Sequence, residues 1–258
     1  VLAATRHKLI LEQLQSAGFV KVSELSQQFN VTEKTIREDL IKLENKQWLK
    51  RIHGGAVFVE SSEQPDFALK LPNTVNQNEK QCIASYAVNH MIEEHDIIAL
   101  DSGSTTLEIA KQLSNIPLTI ITNDLLIIRE VMAKDQIKLV VPGGYSRHNL
   151  LIPSNPIEWV NELNIYKLFL STSGIHPSYG LSIFSYEQLA VKKSFIHASK
   201  EVICVADHGK FGRGALHTFA QLEQIHSFIT DEGIAPEVKE QMEQAGATMI
   251  ISNQNTTV

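Results

Sequence analysis

Thr32-Glu33-Lys34-Thr35-Ile36-Arg37-Glu38-Asp39-Leu40, followed downstream by His53-Gly54-Gly55-Ala56, decides how the first sixty residues fold. Thr32 is a good helix cap, and Glu33 suits the positive end of the helix it opens. Ile36, Leu40 and Leu43 fall at i, i+4 and i+7 and predict one buried stripe, leaving Lys34, Arg37, Glu38 and Lys42 on other faces. Upstream, Leu9, Ile10, Leu11 and Leu14 predict a helix from Arg6 to Ala17, closed by Gly18. An extended Phe19–Val22 follows, and Ser23 is expected to cap a second helix that runs through Phe29 and stops at Asn30. Downstream, runs from Trp48 to His53 and from Ala56 to Val59 flank Gly54-Gly55, a pair suited to a hairpin turn that needs positive φ.

Three helices and a hairpin in that order make a winged helix-turn-helix. Such a module presents the N-terminal end of its second motif helix to base edges, while flanking groups hold phosphates. Lys34, Thr35 and Arg37 lie within the first turn and a half of that helix, and Arg or Lys can pair bidentately with guanine. Lys50, Arg51 and His53 fall on the hairpin, where a wing would meet backbone or minor groove. Taken alone, a helix of this charge density is more simply a solvated face. The turn signals before it and the hairpin after it favour DNA reading. Glu38 and Asp39 do not suit phosphate contact and are expected to pair with Lys42, Lys46 or Arg37.

Charge divides at the same place. Residues 1–58 hold nine Lys/Arg against six Asp/Glu, +3, while residues 59–258 hold fourteen against twenty-three, −9, within a whole-chain charge of −6. A basic head on an acidic body excludes a polybasic protein but not a DNA-binding one. With 43% hydrophobic and 20% charged residues the chain is neither disordered nor fibrous, and no window approaches a membrane span. Cys82 and Cys204 fit neither a zinc motif nor a disulfide framework and are expected to be buried, inert thiols. Nothing at the N-terminus reads as a signal peptide, so a cytoplasmic location is expected.

The organisation predicted is a DNA-binding domain over 1–59, a linker over 60–78 with prolines and little periodicity, and a larger domain over 79–258. In the last, helices are expected over 81–93, 107–113, 124–133, 156–163, 187–199 and 236–245. Short Ile/Val/Leu-rich strands are expected over 97–100, 118–122, 137–141, 167–170, 202–206, 227–230 and 248–252. This alternation implies a mostly parallel sheet covered on both faces. Asp101-Ser102-Gly103-Ser104-Thr105-Thr106 joins a strand to a helix, so amides and the positive helix end point at one spot. The same composition also serves as a plain helix cap. It is neither a Walker A loop nor a G-x-G-x-x-G fingerprint, which disfavours nucleotides. Thr122-Asn123-Asp124, Pro142-Gly143-Gly144 and the loop Asp207–Phe211 follow other strands. In open α/β sheets such loops converge on one crevice, where Lys210 can neutralise a phosphate.

Residues 6–58 resemble the DNA-binding module of the DeoR family of bacterial transcription regulators, on the T-I-R-x-D-L segment at 35–40 and H-G-G-A at 53–56. The resemblance continues to about residue 252 through I-A-L-D-S-G-S-T-T, I-I-T-N, V-P-G-G and A-D-x-x-K-F-G. It implies an α/β protein: an N-terminal winged helix-turn-helix plus a C-terminal open, mostly parallel sensor domain similar in fold to ribose phosphate isomerases and glucosamine phosphate deaminases. It also implies that a phosphorylated sugar binds this domain and releases operator DNA. By that resemblance Lys34, Thr35 and Arg37 read bases, with Arg51 and His53 in the wing. The phosphate would sit on Ser102, Gly103, Ser104, Thr105 and Thr106. Asp101, Asn123, Gly143, Gly144, Arg147, Glu187, Asp207 and Lys210 would surround the sugar.

One segment departs from the family pattern. Where the family commonly reads D-K-x-F-x-G-x-D-G-I-D, residues 166–176 place Tyr166, Ser173 and His176 at acidic positions and Ser171 at a glycine. Proton transfer at a sugar carbon needs a positioned base, and a serine without a paired histidine does not supply one. No catalytic residue, cofactor or metal site is therefore expected; the ten histidines form no metal-ligand spacing. His176 and His208 fall at the expected pocket mouth. The rival readings are a sugar phosphate isomerase or deaminase with an added module, and a DNA-binding protein whose pocket has diverged. Paired half-sites call for a homodimer or homotetramer.

Overall fold

The computed structural model describes residues 3–17, 19–45, 49–52, 54–57, 73–153 and 160–253. The chain divides into two compact units, Val1–Val75 and Asn76–Val258.

The first unit runs α1 (Ala3–Ala17), β1 (Phe19–Lys21), α2 (Val22–Phe29), α3 (Glu33–Asn45), β2 (Lys50–Ile52) and β3 (Gly55–Val57). Helix α1 begins three residues before Arg6, and Gly18, Lys46, Trp48 and His53 lie outside the described residues. Ser23 does not cap α2. The helix starts at Val22 with Lys21 as its extended cap residue, and the Ser23 carbonyl accepts from Ser26 Oγ. Strand and helix abut because Val20 and Val22 must both reach the core, where each is 5% exposed. Asn30 stops α2 in the left-handed conformation (φ 51°), and Thr32 Oγ1 accepts from the Thr35 N–H at 3.2 Å as the cap of α3. Ile36, Leu40 and Leu43 are buried as expected, together with Ile10, Leu14, Leu25 and Phe29.

β1 is more than extended chain. It forms the third strand of a sheet ordered β1-β3-β2, with Val20 opposite Ala56. Gly54 turns the hairpin at φ +81°, and its carbonyl accepts from Val22 N–H.

Asp39 pairs with neither Lys42 nor Arg37. It flanks the buried stripe, is 2% exposed, and accepts from Arg6 Nε and His7 Nε2 on α1, each at 2.7 Å. Burial pushes its carboxyl up, but the hydrogen bonds and charges of Arg6 and His7 outweigh that and hold it below the usual carboxylate range. A lowered folded-state pKa adds stability that is complete above the unfolded value and disappears as pH falls through the folded one. Asp39→Asn is therefore expected to cost the head about 1–3 kcal/mol at neutral pH. It should also flatten the loss of stability below about pH 4, read by thermal melts across pH.

The second unit contains α4 (Gln77–Met91), β4 (Ile97–Leu100), α5 (Ser104–Gln112), β5 (Leu118–Ile121), α6 (Leu125–Val131), β6 (Ile137–Val140), β7 (Tyr145–Arg147), β8 (Leu150–Ile152), β9 (Ile165–Leu170), β10 (Gly174–His176), β11 (Gly180–Ile183), α7 (Leu189–Ala198), β12 (Ser199–Val205), β13 (His217–Ala220), β14 (Ser227–Asp231), α8 (Pro236–Gln244) and β15 (Met249–Ser252). Seven strands form a sheet ordered β15-β14-β12-β9-β4-β5-β6, parallel throughout. Side chains alternate between two cores. Leu168, Leu170, Val202 and Cys204 enter one, while Phe169, Ile203 and Val205 enter the other. Burial pushes the Cys204 thiol up, whereas Cys82 is only partly buried, because it lies beside rather than on the Ile83/Ala84/Ala87 stripe of α4.

A three-stranded antiparallel sheet, β10-β11-β13, and the hairpin β7-β8 were not expected from the sequence. Of the helix expected over 156–163, residues 156–159 lie outside the described residues, while Val160 and Asn161 are helical and the chain turns at Glu162. From central β4 the chain adds β5 and β6 on one side, then returns to place β9 on the other. The loops after β4 and β9 thus flank the point where strand order reverses, the usual crevice of an open parallel sheet.

Candidate functional site

At that reversal lies a cleft of about 180 Å³. Its floor is the loop after β4 and the first turn of α5, whose amides have no intrahelical acceptor. Ser102, Gly103, Ser104 and Thr105 line it from this side, Ser171, Thr172 and Ser173 from the end of β9, and Lys210 from the turn after β12. Gln188, from the turn before α7, and the buried Lys192, from α7 itself, complete the lining.

Behind the loop sits a buried ion pair. Asp101 and Lys192 are each 2% exposed, and the ammonium donates to Asp101 Oδ2 and, at 2.9 Å, to the Ser171 carbonyl. Asp101 also accepts from the Ser171 N–H at 2.9 Å and Ser171 Oγ at 2.8 Å. The unit ties β4, β9 and α7 to the floor of the cleft. Gly103 is required there, since a Cβ would come 2.6 Å from Ser171 Cβ.

The remaining expected residues divide. Thr106 is buried and braces the loop, donating to the Gly103 carbonyl at 2.9 Å. Ser102 Oγ donates to Asp124, which caps α6 by accepting from Leu126 and Ile127 amides. Burial raises the Asp124 carboxyl despite these bonds. Asn123 donates to the Leu151 carbonyl, while its buried Oδ1 has no hydrogen-bond partner among the described residues. Gly143 and Gly144 shape the approach to β7 at φ +73° and +117° and do not line the cleft. Arg147 and Glu187 also stand outside the lining and pair with each other at 2.7 Å. Hydrogen bonding from Ser185, followed by the Arg147 charge among the smaller causes, lowers the Glu187 carboxyl.

Asp207 accepts from Asn76 Nδ2 at 2.7 Å and from the Gly209 amide, which fixes the turn that carries Lys210. On α4, burial pushes the Lys80 ammonium down, against the opposing pull of Asp207. His208 is held by Asp231 (Nδ1 to Oδ1, 2.6 Å), and His176 stacks on Tyr179. Lys192, Ser171, Thr172 and Gln188 were missed as site residues. Lys192 left a trace, falling three residues before Phe195 on the apolar stripe of its helix, where a lysine needs a buried partner.

On the head, Lys34 and Arg37 are exposed on α3 and Thr35 is partly so. Arg37 pairs with Glu33 one turn back, both side chains largely in solvent. Such a pair is worth about 0–1 kcal/mol, so exchanging it for a phosphate or a base costs little. Thr35 Oγ1 lies 2.9 Å from Thr32 Oγ1. Arg51 is turned to the end of α3: its N–H donates to Glu44 at 2.9 Å and its guanidinium pairs with the same carboxylate. Lys50 lies in β2 opposite Val57, and His53 is outside the described residues. Among the described residues no three His, Cys, Asp or Glu converge as metal ligands, and no helix is long and apolar enough to cross a membrane.

A winged helix-turn-helix in one chain with a parallel α/β unit that carries a small cleft at its strand ends defines a two-domain DNA-binding transcription regulator. Residues 6–62 match the DeoR-like helix-turn-helix domain and residues 75–232 the DeoR C terminal sensor domain. The chain belongs to the DeoR family. It is 33% identical to the HTH-type transcriptional regulator IolR of Bacillus subtilis, over 88% of this chain and 90% of that protein. It is 31% identical to the glycerol-3-phosphate regulon repressor of Escherichia coli, over 88% and 90% of the two chains. Ribose 5-phosphate isomerase A from Methanocaldococcus jannaschii aligns over 55% of each chain with a TM-score of 0.40 and 16% identity.

Proposed function

We propose that this protein is a repressor of a sugar or sugar-derivative catabolic operon, released from its operator by a phosphorylated sugar. The cleft carries the reading: helix-end amides, Lys192 and Lys210 converge on one spot, and no carboxylate lines it among the described residues. Ser102–Thr106 and Lys210 hold the phosphate, with Asp101 and Thr106 bracing the loop. Asn123, whose orphan Oδ1 costs free energy until a donor reaches it, takes part in sugar recognition. Lys34, Thr35 and Arg37 read bases, and Lys50, Arg51 and His53 contact the backbone from the wing.

Ser173 stands where the family motif carries an acid and supplies no base for isomerase chemistry, which favours a sensor over an enzyme. Binding as a homodimer or homotetramer presents two heads to paired half-sites, which a head charged only +3 requires for affinity. Regulation then needs only that the effector bind the DNA-competent and DNA-free states unequally.

Thermal melts with a panel of sugar phosphates and inorganic phosphate test the reading. At a hundredfold excess over Kd a true effector adds about 2.7 kcal/mol of stability to the second unit. Gly103→Ala and Lys210→Ala are each expected to abolish that shift. Silence across the panel would favour a diverged pocket that serves only as an oligomerisation scaffold.

A further inference from the structure

Where the family motif carries a glycine, this chain has Ser171 at the end of β9, packed so closely that a Cβ on Gly103 would come 2.8 Å from its hydroxyl oxygen. We propose that Ser171 is a positioning residue of the anion site: its hydroxyl turns the Ser102 carbonyl away from the cleft and thereby presents the Gly103 N–H to a phosphate. This rests on the phosphate-binding reading above.

A loop of amides binds an anion only if its peptides face the right way, since each carries an acceptor on one side and a donor on the other. The Ser102–Gly103 peptide is trans, so its C=O and N–H point in opposite directions. Flipped, it would set a carbonyl against the phosphate. Glycine takes either sign of φ at little cost, so the backbone of Gly103 does not itself fix the choice.

The Ser171 side chain fixes it. Its hydroxyl has one proton, which lies between Asp101 Oδ2 at 2.8 Å and the closer Ser102 carbonyl. Oδ2 already accepts from the Ser171 N–H at 2.9 Å and from the Lys192 ammonium, whereas the Ser102 carbonyl has no other donor among the described residues. The proton therefore goes mainly to the carbonyl. Lys192 also donates to Ser171 Oγ at 3.2 Å, which polarises the hydroxyl and strengthens it as a donor. Asp101 and Lys192 are buried behind the loop, so the carbonyl held through Ser171 faces inward. The Gly103 N–H then faces the other way. It has no acceptor among the described residues and belongs to a residue that lines the cleft.

Ser171→Ala tests this, because it removes the hydroxyl and keeps the main-chain N–H and carbonyl that bind Asp101 and Lys192. In calorimetric titrations of the full chain with inorganic phosphate, glycerol 3-phosphate and glucose 6-phosphate, the variant is expected to bind about fivefold more weakly than wild type, the worth of one hydrogen bond. Isotope labelling of the serine carbonyl carbon and the glycine nitrogen isolates the amides of Gly103 and Gly174, the glycines that follow a serine. Without ligand, the Gly103 amide should give one sharp resonance in wild type and a broadened or doubled one in Ser171→Ala, and saturating phosphate should restore a single line. Ser171→Gly keeps the test open if Ser171→Ala does not fold. Equal affinity of wild type and variant overturns the inference and leaves the phosphate reading standing. Weaker binding with an unchanged ligand-free Gly103 resonance overturns it as well, since the effect would then be one of packing. Wild type that binds none of the three probes overturns the underlying reading and the inference with it.

Discussion

Lys192→Met is expected to destabilise the second unit by about 3–5 kcal/mol, because it leaves the Asp101 charge buried without its partner. For a unit of this size the midpoint falls by roughly 6–20 °C. No solvent reaches the pair to compensate, since both side chains are 2% exposed. The deletion also loosens the Ser171 carbonyl and, through Asp101, the floor of the cleft. Asp101→Asn combined with Lys192→Met should cost less than the two single changes added together, since the second change removes a charge the first has already orphaned. A loss under about 1 kcal/mol for Lys192→Met would mean that Asp101 is satisfied elsewhere.

Gly55→Ala is expected to cost the head about 2–4 kcal/mol, a large fraction of what a unit this small possesses. The added Cβ would come 2.0 Å from the Val20 carbonyl oxygen and 3.1 Å from its carbon, both backbone atoms. The strands cannot part to relieve this, because Val20 and Ala56 are both in the core. Its neighbour gives the contrast. At Gly54 an added Cβ would meet no atom within 4 Å, so Gly54→Ala faces only the strain of its φ of +81°, about 1–2 kcal/mol. Melts of the full chain separate the two cases: Gly55→Ala should lose the head transition and DNA binding while leaving the second unit's transition in place.

The two glycines show how far the sequence could be read. A Gly-Gly pair between apolar runs announces a hairpin, and the positive φ at Gly54 follows from that. The reason for Gly55 lies in β1, more than thirty residues earlier, which pairs with β3. No local pattern carries that contact. Asp39 repeats the lesson, since its partners Arg6 and His7 come from another helix and not from the nearby lysines that i, i+3 and i+4 spacing suggests. In the second unit the parallel strands were legible as short apolar runs, because both faces of the sheet are covered. The three- and four-residue antiparallel strands were not, because Gly174–His176 and Gly180–Ile183 are too short to show a period. The strand-loop-helix turn at Asp101–Thr106 could be found from its own composition, and most of it lines the cleft. Its supports, Lys192 and Ser171, could not, because the fold alone brings them there.

That α3 reads DNA can be decided by one titration. Duplexes selected from a random pool by the wild-type chain are measured by fluorescence anisotropy against wild type and Arg37→Ala at fixed salt. Arg37 is exposed and paired only with an exposed Glu33 one turn back, so its removal leaves the fold unchanged. Loss of a base contact worth about 1–3 kcal/mol should weaken binding roughly ten- to a hundredfold and relax the selected sequence at one position. Undiminished affinity and unchanged sequence preference in Arg37→Ala, or a pool that enriches no sequence at all, would mean that α3 does not read bases through Arg37.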